Sequence, residues 1–303
     1  MSYHEPVLAA EAIAGLAIAP GGIYVDATFG GGGHARLILE QLGPAGRLIA
    51  FDQDADAEAN LPKDDRLLFV PHNFRYLKRF LRLHGVSAVD GILADLGVSS
   101  HQFDEGARGF SFRFDSALDM RMDQREEKTA ARIVNTYDAS TLQDVFSRFG
   151  EVRNAKSLAM AIEEARTHRE IRTIADFLAI LEPLIRGQRA RYLAQVFQAL
   201  RIEVNDEMGA LQDFLEQSLT VLHPGGRLVV ISYHSLEDRM VKQFMKTGDI
   251  QGALEQDFYG HIHRPFRLIT KKAMEPGAEE QHRNPRSRSA RLRIAEKKTT
   301  EEA

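Results

Sequence analysis

The stretch Val25-Asp26-Ala27-Thr28-Phe29-Gly30-Gly31-Gly32-Gly33-His34 decides the fold of this chain. The run before the glycines, Gly22-Ile23-Tyr24-Val25, reads as a buried parallel strand. Glycines directly after a strand let the backbone turn sharply and approach a ligand with no Cβ in the way. Asp26 closes the strand four residues before those glycines and narrows the kind of ligand. A loop built for pyrophosphate would be opposed by a carboxylate just upstream, whereas a nucleotide-like molecule bearing a sulfonium and an amino group would be attracted by it. The pattern points to S-adenosylmethionine as cofactor, with Asp26 and the glycine cluster from Gly30 onward as contacts.

A second acid supports this. Arg47-Leu48-Ile49-Ala50-Phe51-Asp52 reads as the next strand, and Asp52 stands about twenty residues beyond the glycines, where an acid holds ribose hydroxyls. Further strand-like runs cover residues 66–70, 89–96 and 227–233, with helical patterns between the first four strands. Such alternation is that of a doubly wound α/β sheet covered on both faces. Runs at 266–271 and 290–295 are expected to pair as an antiparallel edge.

Between the fourth and fifth strands lie some 130 residues, too many for a crossover inside a compact domain. Their apolar residues recur three and four apart, and Thr173-Ile174-Ala175-Asp176 reads as a capping box, so the segment is expected to be an inserted all-helical domain. The expected bounds are 116–213 for the insert and 1–115 with 214–303 for the sheet domain. After the fifth strand, Ser235-Leu236-Glu237-Asp238 reads as a second capping box. Asp26, Asp52, Asp95 and His234 then share the carboxyl edge of the sheet, where open α/β sheets bind ligands.

Composition bounds the rest. No run of about eighteen apolar residues is present and the start lacks a signal pattern, so no membrane partner and a cytoplasmic location are expected. Zero cysteines exclude disulfides, thiolate catalysis and cysteine-bound zinc, and no histidine pair has a helical zinc spacing, so no metal is expected. A net charge of −4 argues against wholesale coating of nucleic acid, but 282–293 carries five arginines and no acid and reads as a phosphate-contacting arm or strand. The sequence does not reveal oligomeric state, and a homodimer is compatible with it.

For chemistry, the fourth strand ends in Asp95. An exocyclic amino group has its lone pair delocalised into the ring, so methyl transfer to it needs an acceptor for an amino hydrogen, and an Asp serves. A structural cap is the alternative. His234 is the second catalytic candidate, orienting that hydrogen or touching the substrate, with helix capping or a core role as its alternative. Arg108-Gly109-Phe110-Ser111-Phe112-Arg113-Phe114-Asp115 interleaves aromatics and arginines, as a base-stacking surface or an ordinary half-buried strand would.

Taken with His4-Glu5-Pro6-Val7-Leu8, Asp95-Leu96-Gly97-Val98-Ser99-Ser100, Leu118-Asp119-Met120-Arg121-Met122-Asp123, Phe197-Gln198-Ala199-Leu200-Arg201-Ile202, His234-Ser235-Leu236-Glu237-Asp238 and Asn284-Pro285-Arg286-Ser287-Arg288-Ser289-Ala290, the chain resembles, nearly end to end, the MraW family of bacterial small-subunit ribosomal RNA methyltransferases. The resemblance implies a seven-stranded Rossmann-like class I methyltransferase sheet. It implies methylation of a cytidine N4 in the decoding region of 16S ribosomal RNA, with the RNA in the small ribosomal subunit as partner. It also carries cofactor contacts onto Gly32, Gly33, His34, Asp52, Phe74, Asp95 and Gln102. Departures include Ala27 for a usual glycine and Tyr233 for a usual phenylalanine. The family lacks the proline-aromatic sequence with which other amino-methyltransferases stack a base after the fourth strand, so Phe110, Phe112 and Tyr233 are the stacking candidates. The rivals are an NAD-dependent oxidoreductase on the same sheet and a ribosome-assembly factor retaining only the pocket.

Overall fold

The structure, a computed structural model, describes residues 6–99, 106–254 and 264–299. Gln102, His261 and His263 lie outside them. Two compact units emerge, Met1–Gly97 with Gly209–Ala303, and Val98–Met208.

The first unit holds β1 (Ile23–Asp26), β2 (Arg47–Phe51), β3 (Leu67–Val70), β4 (Val89–Asp95), β5 (Leu222–Ser232), β6 (Phe266–Leu268) and β7 (Arg291–Lys297). These form one seven-stranded sheet in the order β3-β2-β1-β4-β5-β7-β6. The first five run parallel, and β7 lies antiparallel between β5 and β6, so the two late runs do form the antiparallel edge. The order turns back at β1 and β4, whose carboxyl ends bear Asp26 and Asp95.

Successive strand residues point to opposite faces, and here both faces are apolar. Tyr24, Leu48 and Ala50 pack with Ala12, Ile13 and Leu16 of α1 (Ala9–Leu16) and with Ala35, Ile38 and Leu39 of α2 (Gly33–Gln41). The residues between them, Val25, Ile49 and Phe51, are equally buried, and Phe51 meets the edge of Phe80 in α3 (Leu77–Leu83) at 6.3 Å. Neither row could face water, so helices on both sides follow from the sequence of the strands.

Two expectations need correction. The β2 to β3 connection is a single 3-10 helix, Ala55–Asn60, because only Ala57 in it has an apolar partner to bury against. Strand β5 begins at Leu222, so His223-Pro224-Gly225-Gly226 is an excursion within it, accompanied by a register shift against β4 between Val89 and Gly91. Of the arm or strand expected of the basic C-terminal segment, the strand is what forms. The segment comprises the helix Ala278–Arg283, a 3-10 turn Pro285–Ser289 and β7, and Arg291 and Arg293 both donate to Asp238 on the helix Ser235–Thr247.

The second unit packs the helices Ala130–Thr136, Ala139–Gly150, Ala155–His168, Ile174–Leu181 and Arg189–Asn205 around one core that includes Phe146, Phe177 and Leu200. The Thr173–Asp176 capping box is formed in both directions. The segment Arg108 to Asp115 forms no strand, and its first half is turned into the core, while Phe114 is exposed. The Arg108 guanidinium is buried and donates to the carbonyls of Arg121 at 3.0 Å and Met122 at 3.1 Å. Phe110 is 5% exposed within the core, and Phe112 meets the edge of Phe197 at 5.6 Å. A ring enclosed in this way cannot stack on a base, so Phe110 leaves the list of stacking candidates.

Candidate active site

The sheet brings three acids, Asp26, Asp52 and Asp95, and the histidine His234 to the ends of four adjacent strands. Asp26 ends β1, and burial leaves it 1% exposed. Its Oδ1 accepts from the Thr28 amide at 3.1 Å, while Oδ2 is buried with no hydrogen-bond partner. Desolvation therefore raises its carboxyl to about 6. Two pH units on a buried acid correspond to about 3 kcal/mol of cost for the ionised form at neutral pH. Such an oxygen has the chemistry to accept from a cationic donor.

The glycine loop that follows is held by Asp52, directly after β2. The Gly30 amide donates to Asp52 Oδ2 at 2.7 Å, and the Asp54 amide donates to Oδ1 at 2.9 Å. Burial again dominates and lifts Asp52 to about 6. From the other side, Asn60 Nδ2 donates to the Gly30 carbonyl at 3.1 Å and Arg36 donates to the Gly31 carbonyl at 2.9 Å. Gly32 caps α2 with φ 73, and a Cβ there would stand 2.8 Å from the Phe29 ring, so both conformation and space require glycine. Gly33 starts α2, and Phe74 begins a short 3-10 turn with its ring edge-on to Phe214 at 5.2 Å.

His34 is 5% exposed, and its Nε2 lies 3.1 Å from the Val7 carbonyl. Only a protonated Nε2 satisfies that acceptor, which assigns the tautomer and leaves Nδ1 bare, 3.8 Å from Asp95 Oδ2. Burial pushes the imidazole below its ordinary value, so it is neutral at neutral pH.

Asp95 ends β4 with its side chain 22% exposed. Its amide donates to Thr28 Oγ1 at 2.7 Å, and the Tyr233 hydroxyl donates to its Oδ1 at 2.7 Å. Burial raises the carboxyl to about 7, the Tyr233 bond pulls down, and Glu237 and Glu280 push up. A carboxyl that titrates near neutrality and retains a path to solvent is suited to taking a proton and releasing it.

His234 is the N-cap of the helix Ser235–Thr247. Its ring accepts from the Glu237 amide, and the Glu237 side chain accepts from the His234 amide at 3.3 Å and also from the Tyr233 amide at 2.8 Å. The capping box is thus His234 with Glu237, and Ser235 is the first helical residue rather than the cap. His234 Nε2 lies 3.2 Å from Glu237 Oε1 without the alignment of a hydrogen bond. Sequence reasoning overlooked Thr28, Asn60 and Glu237 as supports, and read Tyr233 only as a ring. The signal that was legible is a phenol hydroxyl immediately before the His234 cap.

The donor set fits S-adenosylmethionine: a partnerless buried carboxylate oxygen at Asp26 for its ammonium group, a second carboxylate at Asp52, and glycine backbone between them. The comparisons agree. The MraW methylase family model matches residues 1–298. The ribosomal RNA small subunit methyltransferase H of Parabacteroides distasonis is 59% identical over 297 residues, 97% of each chain. The enzyme of the same name from Bacteroides thetaiotaomicron is 58% identical over 299 residues, 98% of each, and that of Flavobacterium johnsoniae 56% identical over 298 residues, again 98% of each. With S-adenosylmethionine as its methyl donor, this chain belongs to the MraW methylase family.

Proposed function

We propose that this chain transfers a methyl group from S-adenosylmethionine to the N4 amino group of a cytidine in the decoding region of 16S ribosomal RNA. The work is done in the cytoplasm on RNA held in the small ribosomal subunit. Relatives at 56–59% identity that bear the name of a ribosomal RNA small subunit methyltransferase support the RNA class. The choice of a cytidine N4 rests on the family resemblance. The observation that carries the chemistry is Asp95: a strand-end carboxyl with one oxygen held, one without a hydrogen bond among the described residues, and burial pushing it up to about 7.

When bound, S-adenosylmethionine supplies a methyl carbon already activated by its sulfonium. Asp26 Oδ2 accepts from the ammonium group, Asp52 holds ribose hydroxyls, and Phe74 offers an apolar face to the adenine. Gly30, Gly32 and Gly33 bring backbone rather than side chain to the cofactor, and His34 keeps the first turn of α2 in place through Val7. Gln102 joins this set by resemblance. As the amino nitrogen gives up a proton, Asp95 takes it and passes it to water. Holding nucleophile and methyl in line contributes more than the base does, because the donor is already reactive. His234 acts as a positioning residue, through its cap on the helix that anchors Tyr233. The helical domain expected at 116–213 takes the RNA side of the reaction.

The test incubates the protein with methyl-labelled S-adenosylmethionine and small ribosomal subunits from cells lacking this gene, then digests the RNA to nucleosides. Label in N4-methylcytidine or its 2′-O-methylated form is expected. Label in another nucleoside overturns the target atom. No label with cofactor binding intact overturns the enzyme reading in favour of an assembly role.

A further inference from the structure

Tyr233 has so far entered only as a neighbour of Asp95. Its hydroxyl donates to Asp95 Oδ1 at 2.7 Å, while Asp95 Oδ2 receives no hydrogen bond among the described residues. The nearest ring nitrogen, His34 Nδ1, stands 3.8 Å from Oδ2, beyond hydrogen-bond reach, and is the bare nitrogen of its ring. The two carboxylate oxygens are therefore unequal: one is tied and one is open.

The phenol is fixed from both ends. The Tyr233 amide donates to Glu237 Oε2 at 2.8 Å, which ties the backbone to the capping box of the following helix. The ring lies over Gly97, where φ is +97 and an added Cβ would come within 3.5 Å of Tyr233 Cδ2. A phenylalanine would fill this bed as well, so the hydroxyl is not needed for packing.

We propose that Tyr233 is a positioning residue for methyl transfer, whose hydroxyl ties Asp95 Oδ1 so that Oδ2 is the atom that receives the amino proton. This rests on the proposed role of Asp95. As the new carbon–nitrogen bond forms, the methyl carbon's bond to the sulfonium sulfur breaks and S-adenosylhomocysteine leaves as the neutral thioether; the proton passes from the nitrogen to Oδ2 and then to water, while the phenol keeps its own hydrogen throughout. Burial and the neighbouring Asp95 hold the phenol well above its ordinary value of 10.0, so it remains a donor across the range in which Asp95 titrates. The groups facing Asp95 from the surrounding elements are Asp26 and Thr28 after β1, His34 on α2, Glu237 on the helix Ser235–Thr247 and Glu280 on the helix Ala278–Arg283. Among the described residues, only Tyr233 donates a hydrogen bond to this carboxylate. A donor to the ionised form favours that form, so its loss raises the pH at which Asp95 becomes competent.

The experiment is a single-turnover pH–rate profile for the full chain at saturating S-adenosylmethionine with unmethylated small ribosomal subunits, with cofactor affinity measured separately. The unsubstituted protein is expected to show an acid limb near pH 7. In Tyr233→Phe the limb moves upward by about one pH unit, so the rate at pH 7 falls several-fold and most of the loss is recovered by pH 9, with cofactor affinity unchanged. Site-specific 3-fluorotyrosine at position 233, a stronger donor of the same shape, moves the limb the other way and covers the case in which Tyr233→Phe folds poorly. An unmoved acid limb in both variants overturns the proposal. If Asp95→Asn keeps the full rate and the same profile, or the unsubstituted protein transfers no methyl group, the reading on which the proposal rests fails and takes it down. Loss in Asp95→Asn with unmoved limbs in the two Tyr233 variants defeats the proposal alone.

Discussion

Asp26, Asp52 and Asp95 at the strand ends of the first unit are held above the ordinary carboxylate range, whereas Asp119, Asp138 and Asp176 in the second unit are held below it. Desolvation is the largest influence on each strand-end acid and outweighs the hydrogen bonds it accepts. In the helical unit, amides of a helix start lower Asp138 and Asp176, while at Asp119 burial pulls upward and the Arg121 bonds outweigh it. Acids that stabilise a fold are met by donors from the same fold. Acids whose ionised form the fold disfavours cluster at the strand ends, and that contrast marks the candidate site off from its scaffold.

The largest expected effect breaks the contrast at Asp95. Asp95→Asn keeps the shape and removes the proton acceptor. It is expected to lower the single-turnover methyl-transfer rate by about 10²–10⁴-fold with cofactor affinity retained. A loss below tenfold would make Asp95 a structural end to the strand.

Next in size is the pH dependence of stability. A carboxyl whose folded value lies above the unfolded one binds its proton more tightly when folded, so stability falls as pH rises through the gap. For Asp26 and Asp52 that gap runs from 3.8 to about 6, and for Asp95 from 3.8 to about 7. Each of the first two is expected to cost on the order of 3 kcal/mol above its folded value, an upper figure because the acids interact. The depressed acids of the helical unit act oppositely, since their contribution is present above the unfolded value and is lost as pH falls through the folded one. Denaturant melts from pH 4 to pH 8, with and without cofactor, check this. The stabilisation by S-adenosylmethionine is expected to be larger at pH 8 than at pH 5.

Asp26→Asn sharpens the comparison further. Cofactor affinity is expected to fall about 10–100-fold in equilibrium binding, the worth of one charge-assisted hydrogen bond. The ligand-free protein should be more stable than the unsubstituted one at pH 8 and not at pH 5, where Asp26 already carries its proton. Destabilisation at both pH values would mean that Asp26 serves the fold. The smallest effect lies in the helical unit: Thr173→Ala removes the cap on the Asp176 amide and is expected to cost about 1 kcal/mol in chemical denaturation.

Much of the sheet was legible because its signals are local. Asp26, the glycines and Asp52 succeed one another within thirty residues, and strands buried on both faces read as continuous apolar runs. The 3-10 turn at Ala55–Asn60 was less so, because a short polar connection gives no periodicity to weigh. Arg108 and Phe110 were illegible for a different reason. An arginine beside aromatics looks the same whether it faces a phosphate or a core, and what decides is the pair of carbonyls at Arg121 and Met122. Arg291 and Arg293 repeat the point through Asp238, more than fifty residues away.

By itself the sequence determined the doubly wound sheet, the helical insert, the kind of cofactor and the acids that stand at the strand ends, since each follows from spacing along the chain. Only the tertiary structure decided what those acids are worth. Burial with a single amide donor lifts Asp26, the glycine loop ties Asp52, and the Tyr233 hydroxyl, 138 positions beyond Asp95, holds one of its carboxylate oxygens. Desolvation and hydrogen-bond geometry depend on atoms brought together from distant parts of the chain, and no pattern along it records them.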